Sequence, residues 1–429
     1  MNICIVGCGH VGLVTAVVFA DYGNEVIGVD NDEEKVRKLK EGVMPIFEPG
    51  LKELVDKNVR EGRLSFSSSI KEGVESSKLI FICVGTPPKE NGEANLYYVE
   101  KVSREIAKYI KDYQIIVEKS TVPVETGEWV ERTIRANNLK EVPFDVVSNP
   151  EFLREGQAIS DAKAPQRIVI GTKSKKAIET LTKLYEPFNS PLIICDIRTA
   201  EVIKHASNAF LATKVSFINA LANICEKVGA DVTKVAEGMG YDSRIGRDFL
   251  EAGIGYGGFC FPKDLAAFIR ISQRAGYDFE LLKAVERINE KQRVNFVEKI
   301  KETLWILDGK TLGILGLSFK PNTDDLRFAP SVEIIPLLQK EGAKIKAFDP
   351  QAMESAKGVL SNVEYSENAY EVARDSDALI IITEWDEFKH LDLQKVKSLL
   401  KSPVIIDGRN IYKVEDLRGM GFNYVSVGR

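Results

Sequence analysis

Cys260 lies in the stretch Gly255-Tyr256-Gly257-Gly258-Phe259-Cys260-Phe261-Pro262-Lys263-Asp264, whose residue types suit covalent capture of an electrophile. Glycines just before a cysteine leave its backbone bare, so a ligand can approach closely. Pro262 suits the first turn of a following helix, where its missing N–H costs nothing. A thiol just ahead of a helix N-terminus, with Lys263 beside it, is expected to have a lowered pKa and to be partly thiolate near neutral pH. Asp264, one helical turn on, could hold a water or a lysine. The alternative is an inert core cysteine in a glycine turn, since free cysteines are mostly buried. The local stretch alone does not decide between them.

A second constellation is Gly7-Cys8-Gly9-His10-Val11-Gly12. It follows an apolar run over residues 2–6, opens a helical stretch to about Tyr22, and is followed by Asp30 at the end of the next apolar run. That is the context a dinucleotide fingerprint requires. Gly7 makes the turn, Gly9 admits a pyrophosphate, Gly12 lets the helix pack, and the phosphates would rest on the helix N-terminus. Asp30 would accept hydrogen bonds from the adenosine ribose and repel a 2′-phosphate, which favours NAD over NADP. Val84-Gly85-Thr86-Pro87 and Ser120-Thr121-Val122-Pro123 also follow expected strands, at the edge where such ligands bind. Lys204 and Asn208, spaced i and i+4, share one face of a largely apolar helix. A desolvated lysine there could serve as a base or donate to a developing alkoxide, and Asn208 could add a neutral donor. The alternative is that both cap an interface.

Elements to position these groups follow from hydrophobic patterning. Apolar runs at residues 2–6, 25–29, 79–84 and 114–117 alternate with helical segments, the signature of a parallel, doubly wound sheet. Residues 199–228 read as one long helix without Gly or Pro, connecting two domains and carrying a subunit interface, and residues 285–304 as more helix. A second strand–helix series begins at Lys310. Its strands are 311–317, 344–348, 378–383 and 403–406, with a loop over 318–330 and a helix that Pro336 should kink. The fold is therefore α/β: two Rossmann-like doubly wound parallel-sheet domains joined by a long central helix and a helical dimerisation region.

The chain has 429 residues, 44% hydrophobic and 28% charged, with a net charge of -5. That describes a soluble globular protein of two or three domains with no electrostatic footprint for nucleic acid. Six cysteines without a CxxC pair and only three histidines argue against a disulfide framework, a metal site and histidine base chemistry. Residues 3–20 are apolar but lack a basic leading region and contain glycines, so they read as strand and helix rather than a signal peptide. No run is apolar and long enough to span a membrane. A cytoplasmic enzyme without membrane or nucleic-acid partners is the expectation.

Together with the fingerprint and the Cys260 stretch, Asn149-Pro150-Glu151-Phe152-Leu153-Arg154-Glu155-Gly156 makes the chain resemble the nucleotide-sugar dehydrogenases, the UDP-glucose/GDP-mannose dehydrogenase family. The resemblance runs essentially end to end. It includes Phe47-Glu48-Pro49-Gly50-Leu51 and Gly316-Leu317-Ser318-Phe319-Lys320-Pro321-Asn322-Thr323-Asp324-Asp325-Leu326-Arg327. It implies a four-electron oxidation of a sugar C6 alcohol to a carboxylate with two NAD and one water, through a thiohemiacetal and a thioester on Cys260. By resemblance, Thr121, Glu151, Glu155, Lys204, Asn208 and Asp264 complete the catalytic set, Asp264 being the better candidate for activating water. Without the resemblance, Glu151 and Glu155 could be surface carboxylates at a helix start. Cofactor contacts carried over are Val11, Asp30, Lys35, Thr86, Thr121, Glu155, Lys263 and Arg327. The UDP-sugar would touch Glu151, Phe152, Leu153, Arg154, Glu155, Lys204, Asn208, Phe249, Leu250, Glu251, Ala252, Gly253, Gly257 and Lys320. Arg244 matches an arginine that reaches the neighbouring subunit's substrate, which implies a homodimer or higher homo-oligomer.

The expected domains are residues 1–196 (NAD-binding), 197–305 (central, helical, carrying the cysteine) and 306–429 (nucleotide-sugar-binding). The run Phe249-Leu250-Glu251-Ala252-Gly253 is similar to the branch acting on UDP-glucose; GDP-mannose and a UDP-N-acetylhexosamine are the alternatives. A two-electron hydroxyacid dehydrogenase would need neither Cys260 nor the third region, and a non-enzymatic NAD-binding regulator neither Lys204 nor Cys260. His10 stands where the family more often has tyrosine, Phe259 where a small residue is commoner, and Asn95 where aspartate is frequent.

Overall fold

Continuous apolar runs closed by a glycine or a carboxylate become parallel strands covered on both faces. The computed structural model describes residues 1–429. The N-terminal sheet is built from β1 (Asn2–Val6), β2 (Glu25–Val29), β3 (Leu64–Ser67), β4 (Leu79–Ile82), β5 (Gln114–Glu118), β6 (Phe144–Ser148), β7 (Ile168–Gly171) and β8 (Leu192–Cys195). Their order is β3-β2-β1-β4-β5-β6-β7-β8, so the direction of winding reverses between β1 and β4, where open α/β sheets bind ligands. One junction departs from the parallel pattern: β7 meets β6 antiparallel, through Ser148 and Gly171. Alternate residues of each strand enter opposite cores. Ile3, Ile5, Leu79 and Phe81 pack with Leu13 and Val17 of the helix His10–Asp21. Cys4, Val6, Ile80 and Ile82 pack with Val99 and Ile106 of the helix Tyr97–Tyr109.

The C-terminal sheet repeats this plan with β9 (Thr311–Leu315), β10 (Lys344–Phe348), β11 (Val363–Tyr365), β12 (Ala378–Ile381), β13 (Val404–Asp407) and β14 (Asn423–Ser426). The order β11-β10-β9-β12-β13-β14 is parallel throughout. Leu312 and Ile380 face one core, Leu379 and Ile381 the other. The helix Pro330–Lys340 contains Pro336 and continues through it.

The long helix spans Ile197–Val228, 32 residues and about 48 Å at 1.5 Å per residue. Phe210, Phe217, Ile224 and Val228 are exposed on it. Further helices cover Cys260–Arg274 and Glu280–Leu304. Contacts divide the chain into two compact units, Met1–Ser207 with Ala266–Tyr277, and Asn208–Leu265 with Asp278–Arg429. Each holds one sheet. No helix is long and apolar enough to cross a membrane.

Candidate functional site

In the first unit the fingerprint turns as its glycines require. Gly7 has φ +100°, and a Cβ there would lie 2.7 Å from the Cys83 carbonyl oxygen; a Cβ on Gly12 would collide with the Gly7 carbonyl. At Gly9 the same test finds open space, which leaves room for a ligand to approach the backbone. The helix beginning at His10 receives no side-chain cap, so its N-terminal N–H groups and the positive end of its dipole face outward for an anion. Asp30 ends up beside this turn. Its Oδ2 accepts from the Cys8 amide (2.9 Å) and from Lys35 Nζ (2.9 Å), and its Oδ1 from the Asp32 amide. Thr86 Oγ1 donates to the Thr121 carbonyl (2.9 Å), tying the loops after β4 and β5 together. The residues present therefore fit a dinucleotide: open backbone at the turn, an uncapped helix end and a carboxylate on the second strand.

The loop after β6 carries Glu151, whose Oε2 accepts from the Leu153 amide (2.5 Å) while Oε1 accepts from Lys204 Nζ (3.0 Å), both side chains buried. Phe152 offers its ring to Arg167 (3.6 Å) and to Lys204 (5.4 Å). Arg154 turns away to a two-pronged pair with Asp161, and Glu155 is half-buried. Beneath these groups Lys119 Nζ donates to Asn149 Oδ1 (3.0 Å), and burial lowers its pKa to about 8. Burial likewise pushes Glu118 up to about 8 and Glu201 up to about 7. Glu201 accepts from the Glu125 and Gly127 amides (2.7 and 2.8 Å), anchoring the loop that follows Thr121 to the long helix.

In the second unit Cys260 is the first residue of its helix and half-buried. Asp264, 1% exposed, accepts from Asn208 Nδ2 (2.6 Å) and from Lys263 Nζ (2.5 Å). Lys263 thus forms an ion pair with Asp264. The glycines before the cysteine also permit close packing of the chain itself. A Cβ on Gly257 would collide with the Phe328 carbonyl, and one on Gly258 (φ +80°) would lie 2.6 Å from the Phe319 ring. They allow the cysteine loop to pack against the loop after β9.

Phe259 lies between two cations: Arg327 is 4.2 Å and Lys263 5.4 Å from its ring centre. An aromatic there thus holds both residues assigned to the cofactor. Leu250, Ala252 and Gly253 are buried, with Gly253 N donating to Asn219 Oδ1 (2.8 Å), while Glu251 is exposed beside Arg247. Phe249 is held at φ +65°, an uncommon conformation for a bulky residue. Lys320 is half-buried over Phe319. Arg244 stands apart from these groups, its side chain 87% exposed and paired with Asp242. Sequence reasoning missed the supports of the cysteine loop. Asn289 clasps both backbone groups of Tyr256, Arg293 donates to the Tyr256 carbonyl, and Arg409 reaches the Gly255 and Phe319 carbonyls. No local motif marks them, because each acts on backbone far away in the chain.

Three family models match successive segments of the chain. Residues 1–189 match the NAD binding domain of the UDP-glucose/GDP-mannose dehydrogenase family, 198–291 its central domain and 313–414 its UDP binding domain. The chain is 51% identical over 429 residues to UDP-glucose 6-dehydrogenase TuaD of Bacillus subtilis, covering 100% of this chain and 93% of that one. It is 46% identical over 436 residues to a UDP-glucose 6-dehydrogenase of Rhizobium meliloti, covering both chains fully. A solved UDP-glucose dehydrogenase from Pyrobaculum islandicum superposes with a TM-score of 0.92 at 40% identity, covering 99% of this chain and 96% of that one. With these matches and the dinucleotide turn, this chain belongs to the UDP-glucose/GDP-mannose dehydrogenase family.

Proposed function

We propose that the chain oxidises UDP-glucose to UDP-glucuronate, consuming two NAD and one water per sugar through a thioester on Cys260. NAD supplies the hydride acceptor in both oxidations. As the C6 hydroxyl loses a proton and a hydride, Lys204 and Asn208 stabilise its oxygen by donation. The Cys260 thiol adds to the resulting aldehyde carbon to form a thiohemiacetal, and loss of a second hydride and proton gives the thioester. Water activated at Asp264 displaces the thiol and leaves the carboxylate. Thr121, Glu151 and Glu155 orient the reactants. The nucleotide sugar is held by Glu151, Phe152, Leu153, Arg154, Glu155, Phe249, Leu250, Glu251, Ala252, Gly253, Gly257 and Lys320. Val11, Asp30, Lys35, Thr86, Lys263 and Arg327 contact the cofactor.

The observation that carries this reading is the buried Asn208–Asp264–Lys263 cluster one helical turn from Cys260, which supplies polar groups beside the nucleophile. UDP-glucose, rather than another nucleotide sugar, is supported by the names of the relatives at 46–51% identity. The functional division is 1–196, 197–305 and 306–429. The enzyme works in the cytoplasm as at least a homodimer, the exposed Phe210, Phe217 and Ile224 meeting a second copy and Arg244 completing the partner's sugar site. Counting NADH across a panel of nucleotide sugars tests the reading. Two NADH per UDP-glucose is the expected result; one would indicate a simple dehydrogenase, and none a binding protein.

A further inference from the structure

Glu48 lies between the helices Glu33–Lys40 and Leu51–Arg60, in a segment that is neither helix nor strand, yet its side chain has no exposed surface. A carboxylate is costly to bury unless donors surround it, and here they come from two distant loops. His10 Nε2 lies 2.9 Å from Glu48 Oε2. The Gly156 amide donates to the same oxygen (2.7 Å) and the Ala158 amide to Oε1 (2.8 Å). His10 is the first residue of the fingerprint helix, and Gly156 directly follows Glu151, Phe152, Leu153, Arg154 and Glu155. One buried carboxylate therefore fixes both the loop assigned to the pyrophosphate and the loop assigned to the sugar.

We propose that Glu48 is a positioning residue that couples these two loops, so that a bound UDP-sugar tightens the binding of the dinucleotide. The proposal rests on the functional reading above. A sugar that orders the 151–158 loop fixes Gly156 and Ala158, hence Glu48 and His10. The cofactor then meets a fingerprint already held in place and loses less conformational freedom on binding. Couplings of this kind span about 5- to 150-fold in affinity.

NADH and UDP-glucose cannot react with each other, so NADH fluorescence titrations with and without saturating UDP-glucose measure the coupling directly. In the wild-type chain UDP-glucose should tighten NADH by about fivefold or more. Glu48→Gln, which keeps an acceptor for one amide, and His10→Phe, which removes the ring nitrogen's contact to Glu48, should each reduce that factor to below about twofold. The double variant should lose no more than either single one. A merely structural role would weaken NADH binding with and without the sugar alike and leave the ratio intact. The proposal is overturned if UDP-glucose leaves the wild-type NADH affinity unchanged, or if His10→Phe keeps the full factor, a result that stands even where Glu48→Gln does not fold. Failure of the wild-type chain to bind either ligand would instead remove the functional reading beneath it.

Discussion

The two sheets share one strand order, and each places an aspartate at the end of the second strand beside its switch point, yet the two carboxylates are used differently. Asp30 takes two backbone amides and Lys35, next to a glycine turn that opens directly into an uncapped helix. Asp349 is fully buried and accepts from the Leu317, Ser318, Gln351 and Ala352 amides, the Ser318 hydroxyl and Trp385 Nε1. Trp385, 6% exposed, also donates to Ser318 Oγ. After β9 the chain makes a long loop before the helix Pro330–Lys340, so no helix opens directly from that strand. The same framework keeps one carboxylate at an open turn and consumes the other in holding its own loop, the loop that carries Lys320 and Arg327.

The largest expected effect breaks the second half of this comparison. Asp349→Ala should cost about 3 kcal/mol or more in urea unfolding, because several buried donors lose their acceptor together. Asp30→Ala should cost less, about 1–2 kcal/mol, since two of its three partners, Asp32 and Lys35, lie nearer solvent. Equal losses would mean that both aspartates are structural.

The next prediction sharpens the first half. Asp30→Ala should lower the NAD over NADP preference in kcat/KM by about tenfold, roughly 1.4 kcal/mol, and Asp349→Ala, where it folds, should leave that ratio unchanged. An unaltered ratio in Asp30→Ala would place ribose recognition elsewhere.

Acid–base behaviour gives a further test in the N-terminal unit. Burial raises Glu118, at the end of β5, to about 8 and Glu201 to about 7. Both folded-state values lie above the ordinary carboxylate range, so the folded chain binds more protons than the unfolded one between about pH 4.5 and 8. The contribution of these groups to stability is complete below that window and falls as pH rises through it. Glu118→Gln should flatten the decline between pH 6 and 8.5 by about 1 kcal/mol, measured as urea midpoints; an identical pH slope would contradict the assignment.

A smaller effect concerns the cation pair on Phe259. Phe259→Leu should raise the KM for NAD by about three- to fivefold, since the ring's attraction for Arg327 and Lys263 is worth about 1 kcal/mol at a partly exposed site. No change in KM would mean that Arg327 is positioned without the ring, its pair with Asp325 contributing instead.

Much of this was legible in the sequence because it is local. The fingerprint, Asp30, the long helix and the helix opening at Cys260 depend on residues a few positions apart. The strands β6, β7 and β8 were not legible as a continuation of the sheet, and the antiparallel entry of β7 has no local marker. By contrast, the pairing of Lys263 with Asp264, its neighbour in sequence, was within reach of the local stretch. The Glu48 hub and the Trp385 contact to Asp349 join residues 36 to 110 positions apart, where only the folded chain reveals the pairing.

The covalent role of Cys260 is tested most directly by acid-quenching the wild-type enzyme during turnover of UDP-glucose with NAD and weighing the peptide that carries Cys260. The account predicts a UDP-glucuronyl thioester on that peptide and a Cys260→Ser variant that binds NAD but retains less than about a tenth of the wild-type kcat, a barrier increase of at least roughly 1.4 kcal/mol. An unmodified peptide together with a serine variant above that tenth would contradict it.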